Sequence, residues 1–567
     1  MSDWKALKER RTQKGPLLAS TTSTREEPVA SPQEKNNAEG GAAEAASSPA
    51  SPVASTSKLV QHDDLPSTLE VREVVGRGRG IFTKTDISTG TTALSTAPLV
   101  SVLDNNNIFS RCSACFIAED DLTPGKLLSQ CSLCHSLRYC SAACQKRDWV
   151  AHKHECKALI TFRNAAKGEG IVPDTPIRAL GRLLWAMEKG GCSYRAQVES
   201  LQSHREELTS EQKEQFFQLS VSVASYVGQQ TLAASCSSAA AIIDLCSRFT
   251  SNSFSLTSPH LSNIGVSISP LVALINHACL PNAVVVFPSY HTSSNPQPMR
   301  VVAIRDIKPG EELLTSYVDL GLPLRRRKAQ LRESYHFECT CALCFKRRAE
   351  WVDPREALKC RKEQCVGLLR MPDVELQNGD VETACETCGG ATSTNVEHLK
   401  ATIATAESEL AAAESLQYTD SAAATSSLFD SVAVLQAASF APTSHPYLPT
   451  LQTLLATLLH SQSFVQALPT AQLVYTSLCT LHPQGHPARA IALAAVGKLR
   501  IVGTNSGDEE RYWRDEAGLQ ETVGVLVEGL KEVVAAFGRG GVLEGELRDL
   551  IRQTEEGLKM TRMARGL

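Results

Sequence analysis

Two stretches decide the fold: Asn276-His277-Ala278-Cys279-Leu280-Pro281-Asn282 and Gly310-Glu311-Glu312-Leu313-Leu314-Thr315-Ser316-Tyr317. They lie in the region 251–320, where apolar β-branched runs such as AVVVFPSY and MRVVAIRDI predict strands. Earlier in the chain, the region 65–111 has a similar composition, with β-branched runs interrupted by glycine. Strands are therefore expected on both sides of a long intervening stretch of different composition.

Two further stretches flank these. Gly76-Arg77-Gly78-Arg79-Gly80-Ile81-Phe82 has glycines that allow a tight turn and a close approach of the backbone to a ligand. It is not a dinucleotide-binding fingerprint, because the residues that follow do not open a helix. On its own it favours a β-turn with exposed arginines. The second stretch, after the strands, is Tyr335-His336-Phe337-Glu338-Cys339-Thr340-Cys341-Ala342-Leu343-Cys344.

Length and composition limit the classes of protein. A chain of 567 residues suggests several domains and a large core. The net charge of −4 gives no overall basic excess, so a nucleic-acid partner is not expected. No apolar run is long enough for a membrane helix, and the first residues do not resemble a signal peptide. We expect an intracellular protein, in which clusters among the 19 cysteines indicate metal ligands rather than disulfides.

The first cysteine cluster has the spacing of two zinc sites. Pairs with two residues between them fit a knuckle turn, and pairs four positions apart share one face of a helix. His152 rather than His154 is the expected histidine ligand, because it precedes Cys156 by four positions; His154 and His135 are expected on the surface. The eight predicted ligands are Cys112, Cys115, Cys131, Cys134, Cys140, Cys144, His152 and Cys156.

Two smaller cysteine groups follow. Cys339, Cys341 and Cys344 supply three ligands, and a tetrahedral zinc needs a fourth. A further site is predicted from two knuckles, with four unpaired buried thiols as the alternative; its ligands would be Cys360, Cys365, Cys385 and Cys388. The remaining cysteines are expected to be small core residues: Cys192, Cys236, Cys246 and Cys479.

The first cluster resembles a MYND finger, through its eight ligands and the string YCSAACQKRDWVAHKHEC at 139–156. The resemblance implies that the two sites interleave. Cys112, Cys115, Cys140 and Cys144 would hold one zinc, and Cys131, Cys134, His152 and Cys156 the other. MYND fingers often bind short proline-containing peptides, so such a peptide is a possible partner here; a finger that only braces its neighbours is the alternative.

The stretches NHACLPN, GEELLTSY and YHFECTC, in this order, resemble a SET methyltransferase, and the inserted finger makes the chain similar to the SMYD family. The resemblance covers about 65–345 closely and the helices after it loosely. Ala278 and Ile81 depart conservatively from the family pattern. The resemblance implies transfer of a methyl group from S-adenosylmethionine to a lysine of a protein substrate. It also implies Cys279 as the fourth ligand of the post-SET zinc.

The resemblance further implies roles for individual residues. Tyr317 would end the lysine channel, where it orients the amine, since a basic role would need a lowered pKa. The other residues implied at the cofactor or the channel are Arg77, Gly78, Arg79, Asn276, His277, Tyr335 and Phe337, with Asn252 as a weaker candidate that could instead cap a loop. A narrow apolar channel would favour the neutral lysine amine, which is the nucleophilic form.

The predicted fold class is a multidomain α+β protein: a split SET β-fold carrying a MYND finger, then a post-SET zinc, then an all-α, TPR-like C-terminal domain. There the pairs His445-Pro446 and His486-Pro487 recur 41 residues apart, each ahead of a helical stretch, which suggests stacked helical hairpins; a plain helical bundle is the alternative. Arg325–Arg327 are expected on the solvated face of a helix. The expected protein is monomeric and nuclear, cytoplasmic or both. The rival functions are an inactive adaptor and a zinc-dependent nucleic-acid binder.

The predicted domain boundaries are 1–64 disordered tail, 65–111 first SET part, 112–156 finger, 157–250 helical insert, 251–320 SET core, 321–348 post-SET, 349–392 second zinc module and 393–567 helical domain.

Overall fold

The computed structural model of the chain describes residues 64–166, 170–236, 238–290, 298–345, 351–417, 419–502 and 516–564. The predicted disordered tail lies outside the described residues, apart from Asp64, whose carboxylate accepts a hydrogen bond from Thr96 Oγ1 at 2.7 Å. No single helix in these ranges is long and apolar enough to cross a membrane. One bent pair, Gln229–Ser235 with Ala239–Asn252, meets the same length and composition test.

The strands occupy the first two thirds of the chain. Before the helical insert they are β1 (Leu69–Val74), β2 (Gly78–Thr83), β3 (Thr92–Thr96), β4 (Val100–Leu103), β5 (Ser129–Gln130) and β6 (Arg138–Tyr139). After it come β7 (Ser253–Thr257), β8 (Asn263–Ile268), β9 (Asn276–His277), β10 (Ala283–Val286), β11 (Met299–Ala303) and β12 (Leu314–Thr315). The short strands β13 (Ala357–Lys359), β14 (Leu368–Arg370), β15 (Asp380–Ala384) and β16 (Ala391–Asn395) follow.

The helices fall into three groups. The finger and the insert contain α1 (Ala142–Ala166), α2 (Thr175–Glu199), α3 (Ser210–Val227), α4 (Gln229–Ser235) and α5 (Ala239–Asn252). Two helices flank the SET strands, α6 (Leu324–Tyr335) and α7 (Ala342–Phe345). The C-terminal region contains α8 (Val396–Leu416), α9 (Ser421–Ala437), α10 (Tyr447–His460), α11 (Phe464–Leu481), α12 (Pro487–Val502), α13 (Glu516–Phe537) and α14 (Val542–Ala564).

Local sequence signals fix several helix ends. Thr209 and Gln212 form a capping box at the start of α3, and Gly228 ends that helix with a φ of 83°. Ser238 caps α5 through a hydrogen bond from the backbone N–H of Ala241. Along the chain the helical insert lies between β6 and β7, and its last helix, α5, leads directly into β7.

The strands form several small sheets of two or three strands each. The antiparallel orders are β10-β11-β3 and β4-β8-β7, and β1 pairs with β2. Strands β9 and β12 pair in parallel, with Leu314 opposite Asn276 and Thr315 opposite His277. A bridge between Phe82 and Glu312 adds β2 to this group. Segments far apart in the sequence thus meet at one place.

Strands β10 and β11 lie between two cores, which explains why every residue in them except Arg300 is apolar. Val285 and Val301 point into the core shared by the SET strands and the finger. Val284 and Val302 point the other way, into the core of the C-terminal helices. Because side chains alternate across a strand, β10 and β11 contribute to both the core of the strands and the finger and the core of the C-terminal helices.

The C-terminal region is all-helical, as predicted. Each of α8–α14 packs against the next helix along the chain, which gives a stack of antiparallel hairpins. Pro446 directly precedes α10, and Pro487 is the first residue of α12, so both recurring His-Pro pairs stand at helix starts. The predicted mixed α+β class with an all-α C-terminal region is confirmed.

Two predictions from the sequence are wrong. Arg327 does not lie on a solvated face, because its side chain is fully buried. Helix α6 is turned so that Arg327 and Leu331, one turn apart, both point inward. Cys192 is exposed rather than part of the core, and of the other three unpaired cysteines only Cys246 is buried.

Candidate active site and metal clusters

The two deciding stretches lie side by side. Beyond the pairing of β9 with β12, the side chain of Asn282 fastens them: its Nδ2 donates to the carbonyl of Glu312 at 2.8 Å, and its Oδ1 accepts from the N–H of Leu314, also at 2.8 Å. Asn282 is almost fully buried. A buried amide with both ends satisfied fixes the register of the two stretches, which explains why an asparagine ends NHACLPN.

Tyr317 lies in a cluster of aromatic rings. The centre of its ring is 5.3 Å from that of His277, 5.0 Å from that of Tyr335 and 6.3 Å from that of Phe337. Its hydroxyl donates to the carbonyl of Ile275 at 2.6 Å. The sequence predictions for Tyr317, Tyr335 and Phe337 therefore fall on residues that the structure brings together in one aromatic cluster.

The hydroxyl of Tyr317 stays protonated at neutral pH. Burial raises its pKa well above the usual value, the negative charge of Glu312 raises it further, and Arg77 opposes the rise. Burial likewise raises the pKa of Tyr335. A tyrosine whose pKa is raised is a hydrogen-bond donor and an orienting group rather than a base.

His277 connects Tyr317 to the nearest cysteine cluster. Its Nδ1 accepts from the backbone N–H of Tyr317 at 3.0 Å, and its Nε2 lies 3.3 Å from Sγ of Cys279. Since Nδ1 is an acceptor, the proton is on Nε2 and points at the sulfur. The side chain of His277 is therefore used inside the protein, and only its main chain is left for a ligand.

Glu312 is a residue that the sequence analysis quoted without assigning a role. Its Oε1 accepts from Nδ2 of Asn276 at 2.7 Å, and its Oε2 pairs with Arg77 at 2.6 Å. The Glu312 side chain is 7% exposed, against 46% for Arg77. A Cβ atom at Gly80 would lie 2.4 Å from Oε1, so this position requires glycine. One buried carboxylate thus connects the glycine-rich stretch to NHACLPN.

The remaining predicted cofactor residues are placed as follows. The carbonyl of Arg79 accepts from Nδ2 of Asn276 at 3.1 Å, and the Arg79 guanidinium donates to the carbonyl of Ser200 in the insert. Gly78 has a φ of 75°, which favours glycine. Asn252 ends α5, and its amide nitrogen donates to the carbonyls of Gln202 and Arg248, each at 2.8 Å, which is the capping role given above as the alternative.

The post-SET cysteines form a compact group with Cys279. The four sulfur atoms lie within 4.8 Å of one another, and Cys279 Sγ is 3.6 Å from Cys344 Sγ and 4.0 Å from Cys339 Sγ. A tetrahedron with Zn–S distances of about 2.3 Å has edges of about 3.8 Å. The geometry and the all-thiolate donor set therefore fit zinc, with ligands Cys279, Cys339, Cys341 and Cys344.

The finger brings its eight ligands into two interleaved groups. They are Cys112, Cys115, Cys140 and Cys144, and Cys131, Cys134, His152 and Cys156. This is the pairing that the MYND resemblance implies, and it includes His152. His154 and His135 are exposed, as predicted, and the ring of His154 stacks on Trp185 at 6.0 Å.

A buried carboxylate orients the ligand His152. Its Nδ1 lies 3.3 Å from Glu155 Oε2, and Arg182 in the helical insert pairs with the same oxygen at 2.6 Å. Burial alone would raise the pKa of Glu155, but the positive charge of Arg182 and the contact with His152 outweigh it and lower the pKa to about 2. The permanently charged Glu155 holds the imidazole with Nε2 toward the cluster and joins the finger to α2.

The fourth group lies between the SET core and the C-terminal helices. Its sulfur atoms also lie within 4.8 Å of one another, with Cys360 to Cys388 and Cys365 to Cys385 both at 3.7 Å. Cys385 is buried in the C-terminal core. The four ligands are Cys360, Cys365, Cys385 and Cys388, and this arrangement replaces the alternative of unpaired thiols.

Comparison with known proteins shows what this architecture is similar to. The family model described as "SET domain" matches residues 78–318, so this stretch is similar to SET domains. It is 30% identical over 301 residues to the N-lysine methyltransferase SMYD2 of Gallus gallus, a match that covers 52% of this chain and 63% of the relative. It is 29% identical over 283 residues to the Histone-lysine N-methyltransferase SMYD3 of Homo sapiens (49% and 62%).

A longer match extends into the C-terminal region. The Histone-lysine N-methyltransferase ASHR1 of Arabidopsis thaliana is 29% identical over 446 residues, which cover 76% of this chain and 86% of the relative. The matches to SMYD2 and SMYD3 span less than two thirds of those relatives' lengths. The chain is thus similar to SMYD proteins over about half of its length and to ASHR1 over about three quarters of it.

Proposed function

We propose that the protein is an S-adenosylmethionine-dependent protein-lysine N-methyltransferase. The observation that carries the proposal is the position of Tyr317: a buried, protonated tyrosine whose hydroxyl faces the Ile275 carbonyl, surrounded by the rings of Tyr335 and Phe337, beside the stretch that holds Asn276. The names of the SMYD2, SMYD3 and ASHR1 relatives support lysine as the methylated group.

The aromatic cluster would act on the substrate amine in two ways. Burial among Tyr317, Tyr335 and Phe337 disfavours the charged ammonium form, so the amine enters the site in its nucleophilic, neutral form. The Tyr317 hydroxyl, held by Ile275, presents its oxygen to the amine and fixes the direction of attack. Because the pKa of Tyr317 is raised, the proton of the incoming ammonium is lost to solvent rather than to this tyrosine.

The cofactor would bind along the glycine-rich stretch and NHACLPN. When bound, it supplies an already activated methyl group on a sulfonium. Arg77 is half exposed and can turn its guanidinium from Glu312 toward a carboxylate, and the main chain from Gly78 to Arg79 is open to a close approach. Glu312 keeps Asn276 in place while Arg77 moves. Asn252 stays a secondary candidate, since its amide nitrogen is engaged with the protein.

The four cysteine clusters would hold four structural zinc ions. Each offers a complete set of four ligands and no open position, which is the pattern of structural rather than catalytic zinc. Elemental analysis of the purified protein should give four zinc ions per chain, and Cys385→Ser should lower the count by one. Cys192→Ser, at an exposed cysteine, is the control and should leave the count unchanged. Two or fewer zinc ions in the wild type would contradict the assignment.

Methyl transfer tests the enzyme directly. Purified protein is incubated with S-adenosylmethionine carrying a labelled methyl group and a whole-cell extract, and the labelled residues are mapped by mass spectrometry. Label on lysine supports the proposal and names the substrate, whether histone or not. If the cofactor binds but no methyl group is transferred, the result favours the inactive adaptor. If the cofactor does not bind at all, the result contradicts the proposed methyltransferase activity.

We further propose that the finger docks a proline-containing peptide. Three apolar side chains near the Cys131 cluster are exposed, Leu133, Trp149 and Val150, and Trp149 contacts the ligand His152 with its ring edge. Trp149→Ala should weaken binding of a proline-rich peptide while the zinc content stays the same. Phe217→Ala, at an exposed ring in the insert, is the matched control. A peptide library without a single binder would favour a finger that only braces α2.

The wider properties of the protein stay predictions. The net charge of −4 supports a protein rather than a nucleic-acid partner. A monomer located in the nucleus, the cytoplasm or both is expected, and sedimentation and imaging of the tagged protein would check these points.

A further inference from the structure

A cleft of about 850 Å³ lies between the SET strands and the last two helices, away from Tyr317 and from the four cysteine clusters. One wall is the edge of β3 together with Arg300 of β11, and the other is formed by α13 and the start of α14. Its size is within the range of about 300–1,000 Å³ that is usual for small-molecule sites. Neither the SET chemistry nor the zinc sites use this cleft.

Two glycines shape the cleft. A Cβ atom at Gly538 would lie 2.9 Å from Oγ1 of Thr92, and one at Gly90 would lie 3.3 Å from the carbonyl of Val534. Both glycines also have a positive φ, 71° and 80°. Helix α13 can therefore touch the turn before β3 at its C-terminal end, while the rest of the two surfaces diverge and leave a space between them.

The cleft is lined by cations and hydroxyl groups, and its lining contains no carboxylate. The cations are Arg300, Lys531, Arg539 and Arg548, and Thr91, Thr92 and Ser95 bring hydroxyl groups. Such a set, with guanidinium forks beside threonine hydroxyls, matches the oxygens of phosphate.

The positive charge of the cleft is only partly neutralised. Lys531 pairs with Glu528 at 3.0 Å, and Arg548 pairs with Glu544 at 2.7 Å. Glu544 is also the nearby negative charge for both Arg300 and Arg539. In the described part of the chain neither of these two arginines forms an ion pair of its own. One carboxylate thus serves three guanidinium groups.

The fold holds Arg300 at the cleft through a backbone carbonyl rather than a carboxylate of its own. Its Nη1 donates to the backbone carbonyl of Arg539 at 2.8 Å, which brings the two arginines together across the cleft. Burial lowers the pKa of Arg300, and Glu544 opposes this only in part. A half-buried cation with a carbonyl as its partner gains more from an anionic ligand than a cation in water does.

We propose that this cleft binds a small soluble ligand that carries more than one phosphate group. Arg300 and Arg539 would hold one phosphate, with Lys531 or Arg548 at the next. Because the ligand would contact β11 and α13 at once, it would fasten the SET core to the C-terminal helices, which is a role separate from methyl transfer.

The test uses the full-length protein and inorganic tripolyphosphate as the probe, with titration calorimetry as the measurement. Arg539→Gln removes one guanidinium but keeps the backbone carbonyl that Arg300 contacts, so the link between the two halves survives. Arg300→Gln is the second variant. Arg552→Gln is the matched control, since Arg552 lies on α14 outside the cleft and is 66% exposed. Melting temperatures confirm that each variant is folded.

The proposal expects saturable binding at one site, with a dissociation constant that rises roughly tenfold or more in Arg300→Gln and Arg539→Gln, since each loses a charge-assisted hydrogen bond. The control should bind as the wild type does. Hexaglutamate, an acidic peptide of similar charge, should bind more weakly than tripolyphosphate. The absence of saturable binding, equal weakening in all three variants, or stronger binding of hexaglutamate would each overturn the proposal.

Discussion

The backbone N–H of Tyr317 donates to Nδ1 of His277 at 3.0 Å, and the other nitrogen of the same ring faces Sγ of Cys279 at 3.3 Å. One imidazole therefore joins a residue of the proposed lysine channel to a ligand of the post-SET cluster. The histidine of NHACLPN makes both contacts because one of its ring nitrogens accepts a hydrogen bond while the other donates one. Metal binding and the position of Tyr317 are expected to be coupled.

His277→Ala should lower both zinc retention and turnover. The thiolate of Cys279 loses the ring N–H that orients it, and the backbone N–H of Tyr317 loses the ring nitrogen that accepts its hydrogen bond. Loss of such an outer partner of a metal ligand typically costs about 10–100-fold in metal affinity or activity. Chelator competition reports zinc retention, and initial rates report turnover. His154→Ala, at an exposed histidine in the finger, is the control. A variant that loses turnover but holds zinc as tightly as the wild type would show that the two are not coupled.

Tyr317→Phe keeps the ring and removes the hydroxyl that Ile275 holds. We expect kcat to fall by about 10²–10³-fold, by comparison with other preorganised polar groups, and cofactor affinity to change little. Calorimetry and initial rates on the same substrate separate the two effects. Tyr194→Phe, at an exposed tyrosine of α2, is the control. Turnover near the wild-type value would show that Tyr317 does not serve the transfer step.

Glu312→Gln should weaken cofactor binding. The neutral amide no longer offers a charged acceptor to Nδ2 of Asn276, so Asn276 loses the anchor that holds it in place when Arg77 turns toward the cofactor. A tenfold to hundredfold rise in the cofactor dissociation constant corresponds to about 1.4–2.8 kcal/mol, in the range for a hydrogen bond to a charged group. The control is Glu311→Gln, the adjacent and more exposed carboxylate. Equal effects of the two changes would remove the special role of Glu312.

Glu546 gives a prediction about pH. It lies on α14 and pairs with His260 of the SET core at 3.0 Å and with Lys498 of α12 at 2.7 Å. Burial would raise its pKa, but these two partners lower it to about 2 from a usual value of 4.5. The folded form therefore gains stability above pH 4.5 that is lost as the pH falls toward 2.

Glu546→Gln should accordingly flatten the loss of stability on the acid side and lower the free energy of unfolding near neutral pH by about 2–3 kcal/mol. Denaturant unfolding at a series of pH values measures both effects. Glu556→Gln, at an exposed carboxylate of the same helix, should keep the wild-type slope. An unchanged slope in Glu546→Gln would mean that this contact does not carry the pH dependence.

The sequence predicted the metal ligands well because their spacing is a local property. Cysteines with two residues between them, in a knuckle turn, and ligands four positions apart on a helix have their metal-binding atoms brought together almost independently of the rest of the fold. The clusters around Cys112 and Cys360 could therefore be found from the sequence. The choice of Cys279, 60 positions before Cys339, depended on a family resemblance instead. No spacing rule connects residues so far apart.

What escaped prediction depends on tertiary packing. Arg327 sits in a run of basic residues that is typical of a solvated face, yet the turn of α6 directs it inward. Glu312 follows an exposed glutamate in the sequence, and only the parallel pairing of β9 with β12 shows that it reaches Asn276. The cleft between β3 and α13 joins residues more than 400 positions apart, and its charge balance becomes visible only when both walls are in place.

The most direct test is methyl transfer to lysine by the wild-type protein and by Tyr317→Phe in parallel, with equal zinc content and melting temperature in the two samples. We predict that the wild type transfers the labelled methyl group from S-adenosylmethionine to lysine side chains in the extract, and that Tyr317→Phe binds the cofactor equally well but transfers little. A wild-type protein that binds no S-adenosylmethionine, or that labels residues other than lysine, would contradict the assignment.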